Sequence, residues 1–415
     1  MQKQLYKPLW EYVPITQFRR PTAALHQTMR NSGQSWLSRL QPRLFGQRNF
    51  FSMPPYLLNR VAPPPDSDQI ITALTAALHS WQLAKEGEQA IQMLVGPPGS
   101  GVAEATVALA RQNEWQVMGA PTVRQILGGG DAWLDQVTRP ALSPLVIPQL
   151  GKCFLRHQEG LELLSRLLDW LQTTRRRCLI ACDSWAWTYL KKTLQIDVMV
   201  PTPLVLAPFD GAKVQFWLPF MANRIHNGRF TFRQIEDGKL IFPLAEMYDK
   251  AVAHFRTPGE VERYGDWVSV PHFFRQLAAH SRGLPGVIWQ LWRQSLEVTA
   301  ESKRNMPRQE PLSGDDKRYT VWVQPWSRLQ LPLVPNGLGT NESLVLHTIL
   351  LHGGASATLI ADLTPLSHNE VRRILQMFWH ANLLEKADEL WQVPLLAYPT
   401  VRSFLANEGY LVDDF

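Results

Sequence analysis

The run Gly96-Pro97-Pro98-Gly99-Ser100-Gly101 restricts what this chain can fold into more than any other feature. An apolar stretch of strand length, residues 90–95, precedes it. Residues 102–112 follow with apolar positions at helical spacing. A glycine turn between a strand and a helix is where a phosphate loop belongs, because glycine lets the backbone wrap an anion and the helix start aims N–H groups at it. The six residues fit G-x-x-x-x-G. The next two positions, which should be Lys and Ser/Thr, are Val102 and Ala103. The lysine would grip the β- and γ-phosphates and the hydroxyl would hold magnesium. Losing one charge-assisted phosphate contact removes roughly ten- to a hundredfold in affinity.

Around this loop, strand-like and helix-like stretches alternate. A helix is expected over 70–83, and strands over 115–118, 145–147, 178–182 and 205–207, with a long amphipathic helix over 159–173. The alternation predicts a parallel sheet with helices on both faces. The strand 145–147 runs into Pro148 and Gln149, where such folds carry an acid that orients magnesium. Asp169 and Glu159 are nearby carboxylates that could substitute, but both are expected on the helix surface. Phosphate grip, metal ligand and water activation are therefore all missing together. No metal site is expected: of the three cysteines, Cys153, Cys178 and Cys182, the last two lie in one apolar run and read as buried packing residues, and no second pair exists to complete a zinc site. His157 with Glu159, and His272 with His280, read as ordinary surface or core histidines.

These features resemble the AAA+/STAND class of P-loop ATPases, over roughly residues 66–298. The resemblance rests on Gly96–Gly101, on the strand order, and on the strand 178–182 followed by Asp183-Ser184. It implies that Asp183 or Ser184 faces the terminal phosphate. It also implies that Ser281-Arg282-Gly283-Leu284-Pro285-Gly286 opens a lid helix. The candidate nucleotide-binding set is thus Gly96, Gly99, Ser100, Gly101, Val102, Ala103, Pro148, Gln149, Asp183 and Ser184, in degenerate form, with no catalytic residue. Arg175, Arg176 and Arg177 are candidates for an arginine acting in trans on a neighbouring copy, with a solvated helix end as the plainer reading.

The last 75 residues resemble a winged helix-turn-helix. Asn341 is expected to cap a helix ended by Gly353-Gly354, Ser367 with Glu370 to form a capping box, and 385–393 to form the wing. A DNA reader needs a basic surface. Residues 341–415 instead hold four Lys/Arg against nine acids, and the third helix offers only Arg372 and Arg373. Residues 1–50 are the opposite, with eight Lys/Arg and one acid, within an overall charge of +6. A short amphipathic segment at 36–45 lies in this stretch.

The expected organisation is α/β: a basic proline- and aromatic-rich arm (1–65), a P-loop NTPase-like αβα core (66–210), a helical lid (211–300), a linker with a β-hairpin (301–340) and a winged-helix domain (341–415). The leading functional reading is a non-hydrolysing regulator or scaffold working through protein contacts of the arm and the acidic winged helix, with no cofactor beyond weak ATP or ADP binding. Two alternatives stay open. One is a weak or oligomer-dependent ATPase or nucleotide switch. The other is a nucleic-acid accessory protein using residues 1–50. A homo-oligomer and a peripheral membrane contact of the arm are further expectations. The lack of a signal-peptide stretch and of any long apolar run points to the cytoplasm. Sixteen tryptophans are expected to serve cores first and partner docking second.

Overall fold

The computed structural model describes residues 8–22, 49–84, 90–200, 202–226, 230–242, 270–305 and 319–415. The amphipathic segment at 36–45 lies outside them. Among the described residues the strands are β1 (Tyr12–Pro14), β2 (Phe50–Ser52), β3 (Ile91–Gly96), β4 (Gln116–Val117), β5 (Leu145–Ile147), β6 (Cys178–Asp183), β7 (Leu204–Leu206), β8 (Phe230–Gln234), β9 (Leu296–Thr299), β10 (Tyr319–Val323), β11 (Glu385–Ala387) and β12 (Leu390–Gln392).

The chain forms two compact units, and they do not follow the five consecutive stretches expected from sequence. One unit gathers residues 10–18, 66–207 and 331–415; the other gathers 1–9, 19–65 and 208–330. The described part of the arm, residues 8–22 and 49–65, is divided between the two units. Tyr12–Pro14 pairs antiparallel with β7 at one edge of the core sheet, with Ala207 N–H donating to Glu11 O at 2.8 Å.

The core sheet of the first unit has the order β1-β7-β3-β6-β5-β4. Every pairing except that of β1 is parallel. Counted from β3, the parallel strands run 5-1-4-3-2, so the strand before the glycine loop lies inside the sheet. Both faces of such a sheet are covered, which explains why Met93, Leu94 and Val95, and Leu145, Val146 and Ile147, are continuous apolar runs and fully buried. The helix Glu162–Thr173 buries Leu163, Leu164, Leu167, Leu168 and Leu171 on one stripe and leaves Asp169 exposed. Cys178 and Cys182 are free and buried, as expected, Cys153 is too, and burial pushes the Cys153 and Cys178 thiols up to about 12.

The C-terminal residues of this unit form a winged helix-turn-helix: helices Thr340–Leu351, Ala357–Asp362 and His368–His380, the hairpin β11–β12, and a closing helix Tyr398–Asn407. The Ser367–Glu370 capping box is present, with the Ser367 Oγ accepting from Glu370 N–H at 3.3 Å. The first helix is capped two residues earlier than expected, at Gly339, where Glu342 accepts its N–H at 3.1 Å. Gly353 and Gly354 end that helix with φ of 56° and 102°, which side chains with a β-carbon rarely adopt. The fold class is thus α/β: a parallel-sheet P-loop NTPase-like core followed by a winged helix-turn-helix.

The second unit corrects the expectation of an all-helical lid. It contains a four-stranded sheet, β2-β9-β10-β8, in which β10 runs parallel to β8 and antiparallel to β9. Residues 319–323 are a strand, but no hairpin among the described residues. The alternation in Phe230–Gln234 and Leu296–Thr299 is too short to stand out from helical neighbours, and pairing supplies what the pattern lacks. Helix Pro285–Ser295 buries Trp292 among Phe232, Phe242 and Phe273. Its Trp289 and Arg293 both donate to Ala62 O, at 3.1 and 2.8 Å, which ties residues 55–62 into this unit.

Candidate functional site

In parallel strands the C-terminal ends share one edge. Register places Gly96 beside Asp183 and Ile147 beside Ile180, so the glycine loop, the Pro148-Gln149 turn and Asp183 converge there. Arg175, Arg176 and Arg177 precede β6 and lie at the other edge, about 20 Å away at the rise of a six-residue strand. Arg176 donates to Ser143 O at 3.0 Å and Gln116 Oε1 at 2.8 Å. Arg177 donates to Gln82 O and Ala84 O. Arg175 is exposed.

The loop has the backbone form its glycines permit. Gly99 and Gly101 sit at φ of 78° and 68°, and Gly101 leads directly into the helix Val102–Gln112. Ser100 N–H donates to Pro97 O at 3.1 Å. Val102 does not point to solvent as a phosphate-gripping lysine would. It is buried, and its Cγ2 lies 2.7 Å from where a β-carbon of Gly96 would stand. Ala103 is half-buried, Pro148 is half-buried and Gln149 is exposed.

A side chain from the winged helix stands on the loop. A β-carbon at Gly99 would lie 2.6 Å from Leu395 Cδ2, so the leucine packs directly against the glycine backbone. Leu395 is placed by the turn after β12, in which Ala397 and Tyr398 N–H groups donate to Pro394 O at 2.9 and 3.0 Å. Sequence reasoning missed it, because nothing in Pro394-Leu395-Leu396 separates a capping leucine from an ordinary core one.

Lys152 was missed as well. Its Nζ donates to three carbonyls at the end of helix Thr340–Leu351: His352 O at 2.5 Å, Gly353 O at 3.1 Å and Gly354 O at 3.3 Å. A cation there neutralises the negative end of the helix and satisfies carbonyls that lack intrahelical donors. Burial lowers the Lys152 pKa, while the Asp183 charge works the other way. Asp183 is raised, by burial first and by Glu104 after it, with Lys152 opposing. The Asp183 carboxyl therefore stands beside the loop, next to Gly96 in register, a poor setting for a polyphosphate.

Ser184, the other candidate at the end of β6, is fully buried and does not face the loop. Its Oγ donates to Asp413 Oδ2 at 2.5 Å. Tyr398 OH donates to the same oxygen at 2.5 Å, and Arg402 Nε meets Oδ1 at 2.6 Å. A second junction surrounds Arg156. Its guanidinium contacts His347 Nδ1 at 3.3 Å and donates to Thr348 Oγ1 at 3.3 Å. His347 Nε2 meets Leu411 O at 3.1 Å. Burial, and then the Arg156 charge, lower His347 to about 4. Burial, with Lys152 and Arg156 after it, lowers His352 to about 3.

On the winged helix, the outer face of His368–His380 exposes Asn369, Arg372, Arg373 and Gln376, and Trp379 is 53% exposed. Arg373 pairs with Glu342 at 3.4 Å, and the exposed wing carries Glu385, Asp388 and Glu389. Among the described residues no group of His, Cys, Asp and Glu is arranged to hold a metal ion, and no helix is long and apolar enough to cross a membrane.

No family model and no curated protein matches the chain. Among solved structures it is similar to Cdc6p from Pyrobaculum aerophilum, at 12% identity over 86% of this chain and 97% of that one, with a TM-score of 0.30. The fold assignment stands on the strand order and on the elements of the winged helix.

Proposed function

We propose that this chain is a non-hydrolysing, AAA+-like regulator or scaffold that acts through protein contacts, with the winged helix as part of its working surface. The observation that carries the reading is Leu395 seated on Gly99, in the place where the backbone would approach a phosphate. Its supports are chemical. Val102 is turned into the core where a lysine would reach out, Ala103 has no hydroxyl, and Pro148-Gln149 offers no carboxylate. Lys152, on the same sheet edge as the loop, is committed to helix carbonyls. A nucleotide bound here would meet Leu395 on one side of Gly99 and the Asp183 carboxyl beside Gly96, without a magnesium ligand to offset it.

The degenerate set Gly96, Gly99, Ser100, Gly101, Val102, Ala103, Pro148, Gln149, Asp183 and Ser184 is therefore proposed as an inherited site turned to structural use. Weak ATP or ADP binding is its upper limit. The acidic outer surface of the winged helix favours a protein partner over nucleic acid.

The test is phosphate release from magnesium-ATP by the purified chain. No release above the protein-free rate is expected. Turnover that vanishes when Arg175, Arg176 and Arg177 are replaced by Ala would instead establish the oligomer-dependent ATPase.

A further inference from the structure

We infer that the guanidinium of Arg156, flanked by the phenols of Tyr189 and Tyr410, is a receptor for a phosphomonoester dianion where the core sheet's helices meet the winged helix. The inference goes beyond the reading just given and uses no residue of the glycine loop.

A guanidinium carries five N–H donors and no acceptor. Arg156 uses its donors on His347 Nδ1 and Thr348 Oγ1, each at 3.3 Å. Because a guanidinium can only donate, His347 Nδ1 accepts, and the imidazole proton sits on Nε2, facing Leu411 O at 3.1 Å. Both partners of Arg156 are thus neutral. The rest of the fork meets no acceptor among the described residues, and no ion pair among them includes Arg156. The side chain is half-buried, and a cation drawn partly out of water ordinarily keeps a carboxylate beside it. Lys152 has Asp183 for that purpose, whereas the groups that act on the Arg156 charge are two phenols. Burial, with the neighbouring cations after it, keeps His347 and His352 neutral at pH 7. Arg156 is left as an uncompensated positive charge.

The two tyrosines turn that charge into a receptor. Both are partly exposed, so a ligand can reach them. The Tyr189 ring lies flat on the buried Phe154, with centroids 5.4 Å and planes 7° apart, which fixes the direction of its hydroxyl. That hydroxyl has no hydrogen-bond partner among the described residues. The Tyr410 ring rests on the His347 ring, centroids 5.1 Å apart, and its hydroxyl meets Thr340 O at 3.3 Å. Exposed Glu408 acts on Tyr410 but not on Arg156. An arginine fork suits a carboxylate and a phosphate alike. The free phenol decides between them, because a phosphomonoester brings three acceptor oxygens and about two charges at pH 7. One such group can take the open edge of the fork and the Tyr189 O–H together, and it neutralises the charge that the chain leaves unmatched.

Calorimetric titration of the full chain at pH 7 tests the receptor, with inorganic phosphate and O-phosphoserine as probes and chloride holding the ionic strength constant. Saturable binding is expected, with a Kd of about 1 mM or tighter for at least one probe. Tyr189→Phe keeps the ring on Phe154 and removes only the donor, and it should weaken binding about tenfold or more, the factor for one bond to a charged group. Arg156→Gln should abolish binding. Tighter binding of inorganic phosphate identifies a free anion as the ligand, and tighter binding of O-phosphoserine identifies the phosphorylated side chain of a partner protein; both support the receptor. No saturable binding of either probe, or an affinity that either variant leaves unchanged, overturns it. Phosphate that still binds after Arg156→Gln sits elsewhere, on the glycine loop first. Where urea unfolding shows that Arg156→Gln has lost its fold, Tyr189→Phe decides alone.

Discussion

Arg402 Nε lies 2.6 Å from Asp413 Oδ1, with the two side chains 8% and 0% exposed. The other oxygen of the same carboxylate takes hydrogen bonds from Ser184 at the end of β6 and from Tyr398 at the start of the closing helix. One carboxylate thus joins the sheet edge, the winged helix and the C-terminal segment, whose Phe415 is itself buried in the core and meets Phe18 at 4.8 Å.

Removing that carboxylate leaves two buried hydroxyls without this acceptor and a buried guanidinium with only the Asp413 backbone carbonyl. Asp413→Ala should lower unfolding free energy by roughly 3–5 kcal/mol, the usual cost of breaking a buried pair from one side. Asp413→Asn should cost less, since an amide oxygen still accepts. Urea unfolding of both variants checks the order and the size.

Gly99→Ala tests the close approach on the loop. The left-handed backbone alone costs about 1–2 kcal/mol with a β-carbon, and the contact with Leu395 adds to it. In the background of Leu395→Ala the contact part should disappear. A double-mutant cycle by chemical denaturation should therefore give a coupling between the two positions of roughly 0.5–3 kcal/mol. Additive effects would mean that the leucine does not sit on the glycine in solution.

Much of this was legible in the sequence, and the reason differs from place to place. The parallel core announced itself because strands buried on both faces are continuous apolar runs, as at 91–95, 145–147 and 178–182. Ser367 and Glu370 revealed a helix start because capping chemistry is local. The loop's missing groups were readable because a motif fixes which residue type belongs at each step. Contacts distant in sequence were not. Lys152 meets His352 across 200 residues, and Ser184 meets Asp413 across 229, with no local pattern marking either pair. The second sheet was missed for a related reason: of its strands the alternation at 319–323 could be read, while 50–52, 230–234 and 296–299 are too short to declare themselves without their partners.

Acid should loosen the junction around Arg156. His347 sits with Arg156 on Nδ1 and the Leu411 carbonyl on Nε2, so a second proton would point at a guanidinium. Trp185, Tyr410 and His352 complete its surroundings. Its folded pKa, about 4, lies below the ordinary 6.5, so the unfolded chain takes up the proton first as pH falls. The contribution of this group is complete above about 6.5 and declines as pH drops toward 4, by roughly 3 kcal/mol in all. His352 acts in the same direction. Thermal unfolding followed from pH 7 to pH 4 should show this loss, and His347→Gln should reduce its slope.

Restoring the loop's lysine alone should not restore chemistry. Val102→Lys puts a charge at a position only 5% exposed, beside Gly96. Destabilisation by several kcal/mol is expected, with no gain in magnesium-ATP turnover, because Pro148-Gln149 still supplies no carboxylate. A denaturation curve and a phosphate-release assay on the same preparation check both halves.

The most direct measurement is calorimetric titration of the unaltered chain with ATP and ADP, each with and without magnesium. The expected result is no magnesium-dependent heat and no micromolar binding of either nucleotide. Micromolar, magnesium-dependent binding would contradict the reading, because it would require Leu395 to leave the loop and other residues to replace the missing lysine, hydroxyl and acid.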